Sequence, residues 1–287
     1  MADRSRQVPG SADGDLFVDC SCIACETCAQ LAPEIFEEAG EFFRVHRQPL
    51  TQHETRCAMR ALLACPVGAI GTSHPDDAKA VINEFPLRID GSVHYCGFNS
   101  RKSFGANSYF VTHPTGNWLV DSPRFTLHLV RRFEAMGGIR YIFLTHQDDV
   151  ADADRFASHF RAARIIHQAD SAAQRDAEII LDGAAPTMIE PGFRIIPTPG
   201  HTRGHCVMLH DGRFLFTGDH LWWEPEAQRL GASHSACWYS WRTQIASMRC
   251  LLDESFDWLL PGHGDRIHLP AAVMRKELVS LIDRMRT

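Results

Sequence analysis

A chain of 287 residues, 45% hydrophobic and 22% charged, has the composition of an ordinary globular protein with one sizeable core, or a core plus a small module. The formal net charge of −6, with no long basic run, excludes nucleic acid and anionic membranes from the expected partners. No stretch approaches the roughly 18–20 apolar residues a membrane helix requires, and the opening MADRSRQVPGSADGD lacks the apolar region of a signal peptide, so a cytoplasmic location is expected.

Residues 1–13 read as a flexible N-terminus. Ten cysteines follow, crowded into the early chain at Cys20, Cys22, Cys25, Cys28, Cys57 and Cys65; Cys96, Cys206, Cys237 and Cys250 are scattered among apolar neighbours. Isolated cysteines are usually small buried hydrophobes, whereas a tight cluster points to metal or redox chemistry. Cys22, Cys25 and Cys28 form C-x2-C-x2-C, and Cys65 adds a fourth thiolate followed by Pro66. A [4Fe–4S] cubane needs four soft thiolates, three of them from a loop that wraps the cluster and aims its amides at the sulfurs. A structural zinc knuckle usually pairs two C-x2-C hairpins, and one such loop occurs here. Cys57, within HETRCAMRALLA, reads as packed in a helix, and Cys20 has no required role. Residues 14–72, through CIACETCAQLAPEIF and RALLACPVGAI, resemble a single-cluster [4Fe–4S] ferredoxin. That resemblance implies a small βαβ-type module with Cys22, Cys25, Cys28 and Cys65 in the ligand positions.

Residues 73–95, with Pro75, Asp76, Asp77, Pro86 and Gly91, read as a connector rather than a core element. A second domain is expected over 96–287. SYFVTH and NWLVDSP read as paired strands around a Pro-Thr-Gly turn, and PRFTLHLVRRFEAMGG as a helix with a glycine stop. IRYIFLTH is a buried strand, DADRFASHFRAA a helix and RIIHQAD another strand. FRIIPTPG, CVMLHDG and RFLFTGD are short strands between Gly/Pro turns. CWYSWRTQIASMRCLLDES reads as a helix in which Trp238 and Trp241, at i, i+3, are core residues. The strand FDWLLPGHG and a helix from Pro270 complete the chain. The pattern suggests two sheets between helical layers.

Four of these strands end in potential metal ligands: LTH at His146, TPGHTRGH at His201, FTGDH at Asp219 and LPGHGD at His263. Strand-end loops are where a rigid scaffold presents ligands, and imidazole with carboxylate suits zinc, iron or manganese. Together the motifs resemble the metallo-β-lactamase superfamily over about residues 97–270. The resemblance implies an αββα sandwich, an overall α+β chain, and a centre of one or two divalent metal ions. Such a metal lowers the pKa of water towards neutrality for attack on an ester, thioester, amide or phosphodiester. Asp121 in LVDSP matches the family's early structural aspartate, and Asp219 its bridging aspartate.

The departure is in LTHQDDVADAD. The family pattern H-x-H-x-D-H, read without a gap, meets His146, Asp148, Val150 and Ala151; with a two-residue insertion Asp152 takes the aspartate place and Ala153 the last histidine's. The expected metal set is therefore His146, Asp148, Asp152, His201, Asp219 and His263, with Asp219 and His263 as the catalytic pair. Asp149 and Asp154 are expected to serve the first turn of a helix. Flavodiiron proteins, a redox branch of the same superfamily, also carry an acid where Asp148 stands, yet keep the D-H pair missing here. His220 is a candidate for the substrate pocket, with Trp222 and Trp223 as its apolar wall; His205 stands where many relatives have serine.

The combined pattern, including SRKSFGANSYF, TGDHLWW and CWYSW, resembles ferredoxin-fused metallo-β-lactamase-fold proteins. Three readings follow. The first is a metal-dependent hydrolase of a small-molecule ester, thioester or similar substrate, with the cluster module as an appendage. The second is an iron-dependent oxidoreductase fed by the cluster, and the third a non-enzymatic redox or sensing module. A redox partner protein for the cluster is expected in each.

Overall fold

The computed structural model describes residues 2–286. The chain divides into two units, Met1–Ile139 and Arg140–Thr287, and each is described by itself. Among the described residues no helix is long and apolar enough to cross a membrane.

Part of the stretch expected to be flexible is ordered, with a 3-10 turn over Arg4–Arg6, a bridge of Gln7 to Asp19 and Val8 in the core. The first unit then runs through strand β1 (Phe17–Val18), helix α1 (Thr27–Leu31), the hairpin β2 (Phe36–Ala39) and β3 (Phe42–Val45), helix α2 (Gln52–Ala64) and strand β4 (Ile70–Gly71). β1 pairs antiparallel with β4, Val18 opposite Ile70, and β2 pairs with β3, Phe36 opposite Val45. Val18, Ile35, Phe36, Val45, Ala58 and Met59 are among the residues of their common core. α2 is the best-defined helix here for local reasons. Thr51 and Glu54 form a reciprocal capping box that satisfies two amides otherwise left without partners. The helix stops at Cys65 because Pro66 has no N–H to continue it.

The stretch expected as a connector is structured throughout. Helix α3 (Pro75–Val81) starts on Pro75, whose missing N–H costs nothing in a first turn that also carries Asp76 and Asp77. Strands β5 (Leu87–Asp90) and β6 (Val93–Tyr95) then form a hairpin turning at Gly91, with φ +51. Val81, Phe85, Val93 and Tyr95 are buried. The prolines and glycine that suggested a linker are the punctuation of short elements. β7 (Tyr109–Val111) and β8 (Trp118–Val120) extend this sheet antiparallel in the order β5-β6-β7-β8. α4 (Leu127–Ala135) is capped by Thr126 and buries Leu129, Val130 and Phe133. Asp121, buried just after β8, adopts φ +55, a left-handed conformation that Asp tolerates better than most residues.

The second unit opens with β9 (Tyr141–Phe143), α5 (Ala153–Phe160) and β10 (Ala163–His167), which runs parallel to β9 and to β11 (Ile179–Leu181). Then β12 (Thr187–Glu190), β13 (Phe193–Pro197), β14 (Cys206–His210) and β15 (Phe214–Gly218) form an antiparallel meander. A ribbon of β16 (Trp222–Glu224) and β17 (Arg229–Gly231) and helix α6 (Trp241–Cys250) lead to β18 (Trp258–Pro261), parallel to β15. β19 (Ile267–His268) pairs with β18, and α7 (Ala271–Arg284) ends the unit. β14 and β15 are buried along their whole length, as their unbroken apolar runs require. Val207, Leu215, Met248, Leu259 and Leu278 join the core beneath them.

Two tryptophans depart from expectation. α6 begins only at Trp241, because Ser240 caps it by accepting from the Thr243 amide. Trp238 precedes the cap, so its i, i+3 spacing has no helix to act in, and it is exposed. Trp223, expected at a pocket wall, is buried in the core.

Because α2 delivers Cys65 from its C-terminal end, its cap bears on the cysteine site. Thr51→Ala is expected to cost about 1 kcal/mol of stability. The check is the denaturation midpoint of the cluster-loaded protein, which should fall while the transition slope stays the same.

Candidate functional site

In the first unit Cys22, Cys25, Cys28 and Cys65 line one cavity, whose walls include Val18, Ile23, Phe43, Val67 and Ile70. The loop carrying the first three turns sharply through left-handed Ala24 (φ 53) and Glu26 (φ 63). Its turns help to aim amides at sulfur: Ala24 N and Phe43 N donate to Cys22 Sγ at 3.4 Å, and Ala69 N to Cys65 Sγ at 3.3 Å. Burial pushes the Cys25 thiol up to about 11, and that of Cys28 upward as well. Such thiols ionise only with compensating positive charge in the cavity. A tetrahedral zinc site would hold its sulfurs about 3.8 Å apart. Among the described residues no three of these cysteines have sulfurs within 4.8 Å of one another, so the cavity suits the wider cubane. Cys20 and Cys57 do not line it.

Sequence reasoning missed a segment that packs beside this cavity. The strand-end segment 99–107, within SRKSFGANSYF, packs on it. A Cβ on Gly105 (φ +88) would stand 2.8 Å from Cys25 Cβ and 3.0 Å from Cys25 Sγ. The Asn99 amide Nδ2 donates to Gly105 O at 2.7 Å and to Thr27 Oγ1 at 3.1 Å, and Tyr95 Oη donates to Asn99 Oδ1 at 2.8 Å. Thr27 Oγ1 in turn lies 3.4 Å from Cys25 Sγ. A buried amide network therefore joins the hairpin strand β6 to a cysteine of the set.

In the second unit four strand ends converge. His146 follows β9, His201 follows β13, Asp219 follows β15 and His263 follows β18. Asp219 Oδ2 faces three imidazole nitrogens: His146 Nε2 at 3.6 Å, His201 Nε2 at 3.6 Å and His263 Nε2 at 3.8 Å. Asp148 Oδ2 lies 3.5 Å from His201 Nε2 and 3.9 Å from His146 Nε2. Donors around one four-coordinate zinc would be about 3.3 Å apart, so this set is close to a closed ligand shell. His146 Nε2 and His201 Nε2 are buried without a hydrogen-bond partner, a costly state that a bound cation relieves. Thr145 Oγ1, 2.9 Å from His146 Nδ1, orients the ring so that Nε2 points inward.

Electrostatics favour the same reading. Burial drives the His146 pKa down to about 4, leaving its imidazole neutral with a lone pair to give. Burial alone would raise the Asp219 carboxyl, but His263, His146 and His201 outweigh it and hold it below the usual carboxylate range. The His201 imidazole facing it at 3.5 Å holds Asp148 down in the same way, against partial burial.

The aspartates sort differently from the sequence expectation. Asp152, expected as a ligand, stands at the N-cap of α5 with its carboxylate 3.9 Å from Arg155 Nη1, and is not in a convergent group. Asp149, assigned from sequence to the helix, brings a carboxylate oxygen within 4.8 Å of His146 and Asp219 donors. The reason is a 3-10 turn over Gln147–Asp149, in which side chains three apart eclipse and Asp149 swings to the side of His146. Left-handed Ala151 (φ 35) then breaks the path before α5. Gly262 makes room for the two acids: a Cβ there would lie 2.7 Å from Asp219 Oδ1 and 2.9 Å from Asp149 Oδ2.

Sequence reasoning also passed over Asp170, 1% exposed in the turn after β10. Its carboxylate accepts from Gln147 N at 3.1 Å, Gly204 N at 2.8 Å and Thr202 Oγ1. Its one signal in the sequence is its place just beyond a buried strand. His220 is buried, held neutral by desolvation with a pKa near 3, and stacks on His205 at 5.3 Å. It is not in a convergent group, and Gln244 Nε2 donates to its carbonyl. Trp222 lies against Gly264, beside His263, where a Cβ would meet its ring at 2.6 Å.

The comparisons with known proteins divide along the same lines. Residues 18–72 match the family model of the 4Fe-4S single cluster domain of Ferredoxin I, and residues 102–263 that of the metallo-beta-lactamase superfamily. A lactamase-like protein of Pestalotiopsis microspora is 29% identical over 193 residues, 63% of this chain and 56% of that protein. A hydroxyacylglutathione hydrolase of Citrobacter koseri is 34% identical over 83 residues, 28% of this chain and 32% of the enzyme. The chain thus spans little more than half of the one relative and about a third of the other. Among solved structures, the DIM-1 metallo-β-lactamase superposes with a TM-score of 0.52 at 19% identity, over 69% of this chain and 95% of its own. VMB-1 does so with a TM-score of 0.50 at 17% identity, over 70% and 96%. At these identities the likeness establishes a fold, a metallo-β-lactamase sandwich preceded by a small module.

Two sets of variants test the geometry. Asp149→Ala should lower the metal bound per chain while Asp152→Ala leaves it unchanged, as measured by elemental analysis after anaerobic purification. Gly105→Ala should reduce the visible iron–sulfur absorbance of freshly purified protein without lowering the metal held by the second unit.

Proposed function

The chain belongs to the metallo-β-lactamase superfamily and carries a single-cluster [4Fe–4S] ferredoxin domain, and on that footing we propose that it is a metal-dependent hydrolase of a small ester or thioester. One observation carries the reading: His146, His201 and His263 direct Nε2 at a single carboxylate oxygen of Asp219. Related proteins of this fold are mostly hydrolases, and one matched relative is named as a hydroxyacylglutathione hydrolase. One or two divalent ions, with zinc, iron and manganese all compatible with the mixed N/O donors, would be held by His146, Asp148 and His201 and by Asp149, Asp219 and His263. Bound there, the metal supplies Lewis acidity and makes water acidic enough to react at neutral pH.

The protein's own part is positional. Asp219 stays anionic, and Oδ1, lacking a hydrogen-bond partner, is placed to accept a proton from the attacking water. His263, 28% exposed, is the most open of the three histidines, and its side of the centre is where a leaving group departs to solvent. The cluster domain serves as a structural or regulatory appendage with a separate redox partner protein.

The test is a panel of esters and thioesters offered to the anaerobically purified protein. Hydrolysis is expected, abolished by chelation and indifferent to the redox state of the cluster. Asp219→Asn should lower kcat/KM by roughly 10²–10⁴-fold, the usual worth of a general base. No cleavage across the panel by fully metallated protein would sink the reading.

A second reading, an iron-dependent oxidoreductase fed by the cluster, is favoured by the carboxylates Asp148, Asp149 and Asp219 around the histidines, an oxygen-rich set suited to iron. Anaerobic EPR of wild type and His263→Ala separates the two: only the oxidoreductase requires redox-active iron in the second unit.

A further inference from the structure

The segment before α6 presents two adjacent aromatic side chains to solvent, Trp238 at 69% exposure and Tyr239 at 51%. An exposed indole keeps a large apolar face in water, and such patches commonly mark binding sites. The molecule does not lack room to bury a tryptophan here. Trp241, three residues on, is partly buried against the core and donates Nε1–H to Met285 O at 3.1 Å.

Nor is the exposed pair on a free loop. Trp238 N and Tyr239 N both donate to His201 O, at 2.9 and 3.0 Å, and Ser240 N donates to Gly200 O at 3.0 Å. Cys237 Sγ donates to the same Gly200 carbonyl at 3.1 Å. Four bonds thus fasten the segment to the very turn that presents His201. The Trp238 ring meets the His201 ring edge-on, with centroids 6.2 Å apart. Beside another histidine of the set, Trp222 packs so closely on Gly264 that a Cβ there would strike its ring. Indoles therefore flank two different histidines of the metal centre, one of them still largely open.

From this geometry we propose that Trp238 and Tyr239 form the subsite for the part of the substrate that is not cleaved, and that this part is a flat, uncharged aromatic ring. A rigid indole fixed by backbone bonds binds with little ordering cost, and its face favours offset stacking with another ring over contact with a flexible alkyl chain. The substrate class becomes an arylacyl ester or thioester, with the acyl carbonyl at the metal centre. This assignment rests on the hydrolase reading for its chemistry, but its recognition step is separable from turnover.

The test uses the acid products as probes on the metallated full-length protein. Phenylacetate, hexanoate and acetate are titrated by NMR onto wild type, Trp238→Ala and Trp238→Phe. Wild type should bind phenylacetate roughly tenfold more tightly than acetate, Trp238→Ala should lose most of that preference, and Trp238→Phe should keep most of it. Metal stoichiometry should be the same in all three, since Trp238 is not a ligand. The proposal is overturned if phenylacetate gains nothing over acetate, if Trp238→Ala retains the gap, or if hexanoate gains as much as phenylacetate. Should the preference hold while arylacyl esters resist hydrolysis, the subsite stands and the hydrolase reading falls.

Discussion

The metal centre depends on a carboxylate that is not part of it. Asp170 is buried, and a buried charge costs several kcal/mol unless donors surround it. Here the donors are Gln147 N, Gly204 N and the Thr202 hydroxyl, so one side chain joins the residue after His146 to the turn that carries His201. Three loops that share no strand are thereby held in one register. Gly204 is required for the same reason: a Cβ would stand 2.7 Å from the Asp170 backbone and carboxyl carbon. The remaining ligands need no such clamp, because Asp219 and Gly262 follow β15 and β18, adjacent parallel strands joined by Gly262 N→Gly218 O at 2.8 Å.

The site is also a study in replacement. Where the resembled pattern has aspartate and histidine, this chain has Val150 and Ala151 when read without a gap, or Asp152 and Ala153 with a two-residue insertion. The chain compensates with a tight 3-10 turn that brings Asp149 around, one residue early, to face Asp219 across the bare Gly262 backbone. Trading imidazole for carboxylate makes the centre harder and more anionic, which widens the range of metals it can hold. In the first unit a comparable economy appears in SRKSFGANSYF. Its Asn99 holds Gly105 against Cys25, so residues beyond the module's own family match pack on one of its cysteines.

Where the sequence misled, the cause was local chemistry read without its partners. Pro75, Pro86 and Gly91 resemble linker residues until the hairpin of β5 and β6 buries Val93 and Tyr95 beside them. Trp238 has helical spacing with Trp241, but Ser240 caps the helix between them. Trp222 and Trp223 are sequence neighbours on a strand, so they must face opposite ways: one lies on Gly264, the other enters the core.

Much was nevertheless legible in the residues alone. The C-x2-C-x2-C spacing with a remote Cys-Pro names a cubane, because four soft ligands at those intervals serve little else. Four strand-ending motifs in order name a metal-bearing sandwich, because apolar runs and the turns that end them are local properties. Which aspartate joins His146, what holds the His201 turn in place and which tryptophan remains open are not local. They are decided by a 3-10 turn, by the burial of Asp170 and by a helix cap, each set by contacts between segments far apart in the chain. LTHQDDVADAD could be read as a candidate metal loop from its residues, but only the packed fold, through the space that Gly262 leaves, brings Asp149 rather than Asp152 among the donors of His146 and Asp219.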